Sequence, residues 1–245
     1  MLNPPAAALI LALVLTLMGP LTSPFERRFL QSDPPTARKL LWFALNITLS
    51  WGLTAAAIAI YGWTALKDSG GWAGWLPFAA VARPALGVLL AVYFALSLLP
   101  FVQSLRGPRR RAAYAAAYRR HAADFPGLLP ASAVERNAFI LVALTAGVCE
   151  EVLFRGFLIR FLHEGAPGLP LVVALAASCL VFGLNHLYQG WKGALGTSIA
   201  GLGFGLLFLM TGSLIPAIVI HALIDLQLVY VLRPIPDAGL EAASP

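Results

Sequence analysis

Long apolar stretches, separated by short polar or proline-containing breaks, follow one another along most of the chain. A helix needs about 20 mostly apolar residues to cross a hydrocarbon core of about 30 Å. Seven stretches approach this length, at roughly 4–22, 40–63, 84–105, 137–162, 169–189, 192–211 and 213–232. Backbone in lipid must satisfy its own hydrogen bonds, and no alternating ten-residue pattern indicates a barrel. The sequence therefore predicts an all-α, polytopic bundle of about seven transmembrane helices.

The composition supports this class and excludes others. Of the 245 residues, 59% are hydrophobic and 11% are charged, whereas a soluble domain has about 25% charged residues. The apolar content excludes a disordered chain, and two cysteines cannot build a disulfide framework. The net charge of +6 is explained by Lys and Arg in cytoplasmic loops, so no nucleic-acid partner is expected.

The basic residues also predict an orientation. Thirteen of them lie in the connections between spans 1 and 2, 3 and 4, and 5 and 6, or after span 7, which all fall at one end of the bundle. Three lie at the other end. The positive-inside rule then places the N-terminus outside and the C-terminus in the cytoplasm. The first segment lacks a preceding Lys or Arg and a clear cleavage site, so we expect a retained helix and not a signal peptide. The composition is compatible with a bacterial inner membrane, and the sequence leaves the oligomeric state open.

The segment 106–136 is the longest predicted connection. Tyr114 and Tyr118 are four residues apart between clusters of arginine, which is typical of a surface helix that lies against anionic headgroups, here near 106–120. Whether this segment is a lid or only a connector stays open. Trp72, Trp75 and Pro77 predict an interfacial loop, and the last residues, 233–245, predict a disordered tail.

Ionisable side chains within the apolar segments are the candidates for function. Each costs about 2.5–3.5 kcal/mol on insertion scales, so those that remain are functional candidates by default. Away from the ends where Arg160 and Lys192 lie, they are clustered on the fourth, fifth and seventh segments: Glu150, Glu151, Arg155, His186, His221 and Asp225. This distribution predicts a single polar pocket between these three helices.

Spacing suggests how these side chains pair. Glu151 and Arg155 are four apart, so they can form an ion pair on one helix face, with Glu150 about 100° round the helix. His221 and Asp225 are also four apart and can face the same cavity. A carboxylate without a local partner, close to imidazoles in a low dielectric, is suited to act as a general base.

Three motifs bring these residues together in order. Glu150 to Arg155 fits E-E-x-x-x-R, Phe182 to His186 fits F-x-x-x-H, and His221 to Asp225 fits H-x-x-x-N/D. The pattern resembles the CPBP family, the CAAX-processing and bacteriocin-processing intramembrane proteases related to the Ras-converting endopeptidase. The resemblance implies a catalytic core of four helices at 137–232. The first three helices and the basic connector, at 1–136, carry no diagnostic motif, and a tail is expected at 233–245.

The resemblance also implies roles for the residues. The protein would be an intramembrane endopeptidase that cleaves a membrane-associated substrate, such as a prenylated tail, a leader peptide or a C-terminal anchor. Glu150 would activate a water that His186 helps to hold. His221 and Asp225 would orient or stabilise the oxyanion, and Glu151 with Arg155 would brace the site.

The sequence leaves metal dependence open. Glu150, His186, His221 and Asp225 could hold Zn2+ with an open water position. No H-E-x-x-H helix is present, however, and water activation without a metal accounts for the same residues. Asp225 occupies a position where the family also has Asn. An ionised Asp cannot donate to an oxyanion, which favours metal ligation or a protonated carboxyl group.

Two other functions use the same residues. A proton- or ion-coupled transporter could employ them as a relay, although transporters usually show inverted repeats and broken helices, and the sequence shows neither. A non-catalytic scaffold or bacteriocin-immunity protein could retain the pocket for structure. Cys149 and Cys179 are interpreted as small core residues, and the glycines of the sixth segment as sites of close helix packing.

Overall fold

The computed structural model describes residues 4–69 and 79–234. The expected interfacial loop at Trp72, Trp75 and Pro77 lies outside the described residues, as does all but the first two residues of the expected tail. Ten α-helices lie within the described ranges: α1 Pro4–Gln31, α2 Thr36–Tyr61, α3 Trp63–Lys67, α4 Ala79–Ser104, α5 Pro108–His121, α6 Ala133–Glu150, α7 Ile159–Glu164, α8 Leu171–Leu184, α9 Gly190–Thr211 and α10 Leu214–Val231. A π-helix, Glu151–Leu158, joins α6 to α7, and short 3-10 turns occupy Pro126–Leu128 and Leu187–Gln189.

The predicted all-α membrane bundle is confirmed. Six helices of the described chain are long and apolar enough to cross a membrane, with α6, the π-helix and α7 counting as one helix of 32 residues. Large apolar side chains cover the outer surface of the bundle. Examples are Leu41, Leu89 and Leu180, whose exposed fractions are 60%, 66% and 59%. An outer surface of this kind needs lipid around it. The protein is therefore an integral membrane protein.

The predicted fifth span, 169–189, is shorter than expected. Helix α8 has 14 residues, or about 21 Å at 1.5 Å per residue. After the helix ends at Leu184, the side-chain amide of Asn185 turns back and donates to the carbonyl of Val181. The chain then makes a 3-10 turn before α9 begins at Gly190.

Helix α1 is longer than the predicted span at 4–22 and continues through Pro20 and Pro24 to Gln31. Proline inside a membrane helix is tolerated because neighbouring groups can satisfy the freed carbonyls. Gly19 lets this helix lie directly against the end of α8, since a Cβ atom there would be 2.3 Å from the Asn185 Cα. The Asn185 amide also donates to the Leu15 carbonyl. Helix α1 therefore holds the turn that follows α8.

A buried ion pair joins the start of α2 to the start of α6. Lys39 Nζ lies 3.4 Å from Glu135 Oε2, and both side chains are almost fully buried. The hydroxyl of Thr36 donates to Glu135 Oε1 at 2.5 Å. Helix α6 begins at a capped position, where Ser132 accepts from the Glu135 amide. These contacts fix one end of α6 relative to α2.

The predicted surface helix in the connector exists as α5. Its Ala115 packs in a small cluster with Val231 and Leu232 at the end of α10, and Arg111 stacks on the Tyr230 ring at 5.6 Å. Burial raises the pKa of the Tyr118 hydroxyl on the same helix. Helix α5 is thus attached to the bundle at the end where α4 and α10 terminate.

Candidate active site

The site begins where α6 changes into the π-helix, near the middle of the 32-residue helix Ala133–Glu164. A π-helix shifts the register of the following side chains and is frequent at functional sites. All eight of its residues are buried. The Ser178 hydroxyl on α8 donates to the Phe154 carbonyl at 2.7 Å, which supports the widened turn. Glu150 is the last residue of α6, and Glu151 is the first residue of the π-helix.

Glu151 lies at the centre of a buried chain of hydrogen bonds. Its Oε1 atom accepts from Arg155 Nη1 at 3.0 Å and lies 2.7 Å from His221 Nδ1. Because a carboxylate accepts, the imidazole must donate from Nδ1, which leaves Nε2 for other partners. The predicted ion pair between Glu151 and Arg155 is therefore present, and it extends to His221 on α10.

The other nitrogen of His221 lies between two more carboxylates. His221 Nε2 is 3.8 Å from Glu150 Oε2 and 3.7 Å from Asp225 Oδ2. Two consecutive glutamates thus approach opposite nitrogens of one imidazole. Glu150 has its nearest charged partner on α10, and not within its own helix.

Aromatic rings enclose the charged groups. The Phe204 ring stacks on the His221 imidazole, with centroids 4.8 Å apart, and the Arg155 guanidinium lies 4.3 Å from the centre of the Phe182 ring. Arg155 also donates to the Gly201 carbonyl at 3.2 Å. A Cβ atom at Gly201 would come within 3.2 Å of the same guanidinium nitrogen. Glycine is needed there because α9 passes so close to Arg155.

His186 lies beyond the end of α8. Its Nδ1 atom is 2.9 Å from the Phe182 carbonyl, which can only accept, so Nδ1 carries the proton and Nε2 has a lone pair available. The imidazole packs edge-on to the Phe182 ring at 4.9 Å. It is also near enough to Asp225 for the two side chains to interact electrostatically.

Two neighbouring cavities adjoin these residues. The larger cavity, about 450 Å³, is lined by Glu150, His186, His221 and Asp225, and it extends to Tyr118 near the end of α5. The smaller cavity, about 180 Å³, lies among α1, α2 and α6 and is lined by Glu26 and Tyr188 as well as Glu150 and His186. Glu150 and His186 therefore line both cavities.

Comparison with known families assigns this region of the chain. Residues 134–227 match the family model described as "Type II CAAX prenyl endopeptidase Rce1-like". The resemblance stated from the three motifs is thereby confirmed, since all six candidate residues fall within this range. No curated protein and no solved structure shows a significant match to the chain.

An Rce1-like domain implies a protease, here one embedded in a membrane. Proteases of this family act on membrane-associated protein or peptide substrates. Helices α1 to α5 precede the matched range. Of these, α1 and α2 line the smaller cavity, and α5 reaches the larger one through Tyr118.

The geometry does not fit a preformed metal site. Within residues 4–69 and 79–234, no group of three or more His, Cys, Asp or Glu side chains is arranged to hold a metal ion. Of the four residues considered for Zn2+, three meet around His221 Nε2, at donor separations of 3.7 and 3.8 Å. His186 approaches them from the separate turn after α8.

Two further residues at the site were not predicted from the sequence. Glu26 was expected to follow the first span, but α1 continues past it and places it at the smaller cavity. Tyr188 lies two residues after His186 in the predicted fifth span, and no pattern in the sequence singles it out. The residues that follow Pro20 are Leu21, Thr22, Ser23, Pro24 and Phe25, so the sequence carries no apolar run that would extend the first span to Glu26.

Proposed function

We propose that this protein is an intramembrane endopeptidase in which Glu150 activates the attacking water. The observation that carries this proposal is the arrangement at the larger cavity, where Glu150 and Asp225 meet His221 and where His186 shares the cavity wall. A protease needs a base beside a space that holds water and a peptide bond. This cavity provides that space at the middle of a membrane-spanning helix.

Glu150 is the base in this proposal because its side chain is partly exposed, at 26%, and its nearest partner is His221 on α10, 3.8 Å away. Glu151, in contrast, is fully buried and is committed to Arg155 and His221. The Nε2 lone pair of His186 accepts one water O–H, and the Glu150 carboxylate accepts the other. The two acceptors orient the water oxygen for attack.

The reaction then follows from these positions. The water oxygen bonds to the carbonyl carbon while Glu150 takes the water proton, and the carbonyl π electrons move to the carbonyl oxygen. The tetrahedral intermediate collapses as the C–N bond breaks, and Glu150 delivers its proton to the departing nitrogen. The products are a carboxylic acid and an amine. Glu151 fixes the imidazole of His221, whose Nε2 side faces Glu150 and Asp225.

The proposed substrate is the tail of a membrane-associated protein. The larger cavity extends from Glu150 toward α5, and the basic residues predict that α5 lies on the cytoplasmic side. A peptide segment entering from that side would reach Glu150 inside the bilayer. Prenylated CAAX tails, leader peptides and C-terminal anchors all fit this description, and a bacterial inner membrane is the proposed location.

Cleavage by the purified protein tests the proposal. Three quenched-fluorescent peptides in lipid nanodiscs, one of each substrate type, are incubated with the wild type and with Glu150→Gln. We expect at least one peptide to be cleaved, and we expect the substitution to lower kcat by about 10²- to 10⁴-fold because the general base is lost. Glu164→Gln, which removes a carboxylate paired with Arg160 at the other end of the helix, is the matched control and should keep full activity.

Undiminished cleavage by Glu150→Gln would refute the assignment of the base.

Cleavage in the presence of a chelator tests metal dependence separately. We expect EDTA or phenanthroline to leave the rate unchanged. Loss of activity on chelation, with recovery on adding Zn2+, would overturn the metal-free mechanism and leave the endopeptidase assignment intact.

A further inference from the structure

The proposed mechanism lacks an evident neutral donor for the developing oxyanion. Asp225 occupies the motif position where an Asn could donate, but an ionised carboxylate can only accept. His221 already uses Nδ1 toward Glu151. The negative carbonyl oxygen would form within a cluster that holds Glu150, Glu151 and Asp225. A neutral His221 that donates from Nδ1 has a lone pair and no N–H on Nε2. A further neutral donor near Glu150 would therefore stabilise the oxyanion.

Tyr188 is located where such a donor is needed. It lines both cavities together with Glu150 and His186, and its ring centroid is 5.9 Å from that of His186. Its phenol is close enough to Glu150 and Asp225 to interact electrostatically with both. The ordinary pKa of a tyrosine hydroxyl is about 10, so the group is neutral at physiological pH and can donate where a carboxylate cannot.

The hydrogen bonding of Tyr188 leaves its proton available. The Gln189 side-chain amide donates to the Tyr188 oxygen at 3.0 Å, which uses an acceptor lone pair and not the hydroxyl hydrogen. This donor also polarises the O–H bond in the direction that strengthens its own donation.

Contacts from α1 hold the turn that carries Tyr188. Gly19 packs directly on the Asn185 backbone, and the Asn185 amide bonds to Leu15. The Tyr188 hydroxyl is therefore part of a fixed turn, and a fixed donor is effective because it needs no reorganisation during the reaction.

We propose that Tyr188 is a further catalytic residue, whose hydroxyl donates to the carbonyl oxygen of the scissile peptide bond as that oxygen becomes negative. This inference rests on the proposed function. No bond to Tyr188 forms or breaks in this step. Its hydrogen bond strengthens as the π electrons move to the oxygen, and it relaxes when the C–N bond breaks.

The test compares Tyr188→Phe with the wild type on whichever of the three peptides is cleaved. Tyr230→Phe, on α10 and outside both cavities, is the matched control and should keep full activity. Loss of a single oxyanion donor costs about 10²- to 10³-fold in kcat. We expect a loss of this size in Tyr188→Phe with KM unchanged.

A second measurement separates donation from a structural role. A peptide phosphinate carries a tetrahedral, negatively charged centre and so resembles the intermediate. Tyr188→Phe should weaken its binding by the same factor as kcat, while the affinity for the uncleaved peptide, measured in a Glu150→Gln background, stays constant.

Normal kcat in Tyr188→Phe, or an effect confined to KM, would overturn this inference alone, because the proposed function requires only the loss seen in Glu150→Gln. Normal cleavage by Glu150→Gln would instead overturn the proposed function. Equal loss of phosphinate and peptide affinity would assign Tyr188 to substrate binding and would also overturn the inference.

Discussion

One oxygen atom of Glu151 organises the charged residues of the site. The same Oε1 accepts from Arg155 and from His221, and the side chain is fully buried. Its second oxygen, Oε2, is buried with no hydrogen-bond partner among the described residues. Removing one member of a buried ion pair leaves an uncompensated charge, which is far more costly than removing both.

This arrangement predicts a specific pattern of stability. Arg155→Met should lower the free energy of unfolding by about 3–5 kcal/mol, because Glu151 then remains charged in the core. The double substitution Glu151→Gln with Arg155→Met should recover part of that loss. Unfolding by SDS titration measures both. Equal stability of the single and double variants would contradict a buried charge on Glu151.

Sequence spacing anticipated much at the residue scale. The four-residue separations predicted the pair of Glu151 with Arg155 and that of His221 with Asp225, because neighbours on a helix surface follow from its pitch. The spacing could not predict that Glu151 joins α6 to α10, since that contact depends on how two distant helices pack. Glu26 and Tyr188 escaped prediction for the same reason.

At the scale of elements, the close approach of α6 and α10 sets the distance between glutamates and imidazole. Gly147 lies one turn before Glu150, and a Cβ atom there would be 2.8 Å from the Ala222 Cβ and 2.9 Å from its backbone nitrogen. Ala222 follows His221 directly. A side chain at Gly147 must therefore push apart the two helices that carry the site.

Gly147→Ala tests this packing. Overpacking a tight contact costs about 1–3 kcal/mol, and we expect lower thermal stability together with a loss of cleavage, because His221 moves away from both glutamates. Gly52→Ala on α2 is the matched control, since a Cβ atom there meets nothing within 4 Å. Full activity in Gly147→Ala would show that the helices can separate without disturbing the site.

Hydrophobic patterning located the long helices but not their irregular parts. The π-helix at Glu151–Leu158 has no local sequence signature, because it depends on partners such as Ser178 for its support. At the end of α8 the polar residues Asn185 and His186 follow Leu184 directly. Gly19 and Leu15 of α1 contact this turn, which composition alone cannot reveal.

At the scale of the whole molecule, α5 presents a row of basic side chains beside the end of the larger cavity. Arg109, Arg119 and Arg120 are exposed on this helix, whereas its Ala115 faces α10. A basic residue close to an anionic membrane surface gains about 1 kcal/mol. We propose that α5 binds anionic headgroups and so fixes the depth of the cavity entrance.

Replacing these three arginines with glutamine tests the lipid contact. We expect the preference for phosphatidylglycerol over phosphatidylcholine to fall by about 1 kcal/mol for each charge removed near the surface. Spin-labelled lipids in nanodiscs measure the preference. High salt should lower the lipid preference of the wild type toward that of the variant, because salt screens the charges. An unchanged preference would limit α5 to a connector.

The short helix α8 also affects the lipid around the protein. Val172, Val173 and Leu180 are exposed on its outer surface, yet the helix spans only about 21 Å of a hydrocarbon layer of about 30 Å. Hydrophobic mismatch of this kind is relieved by local thinning of the bilayer. Headgroups and the water that hydrates them would then dip toward His186 on this side, giving a hydrolytic enzyme a supply of its second substrate within the membrane.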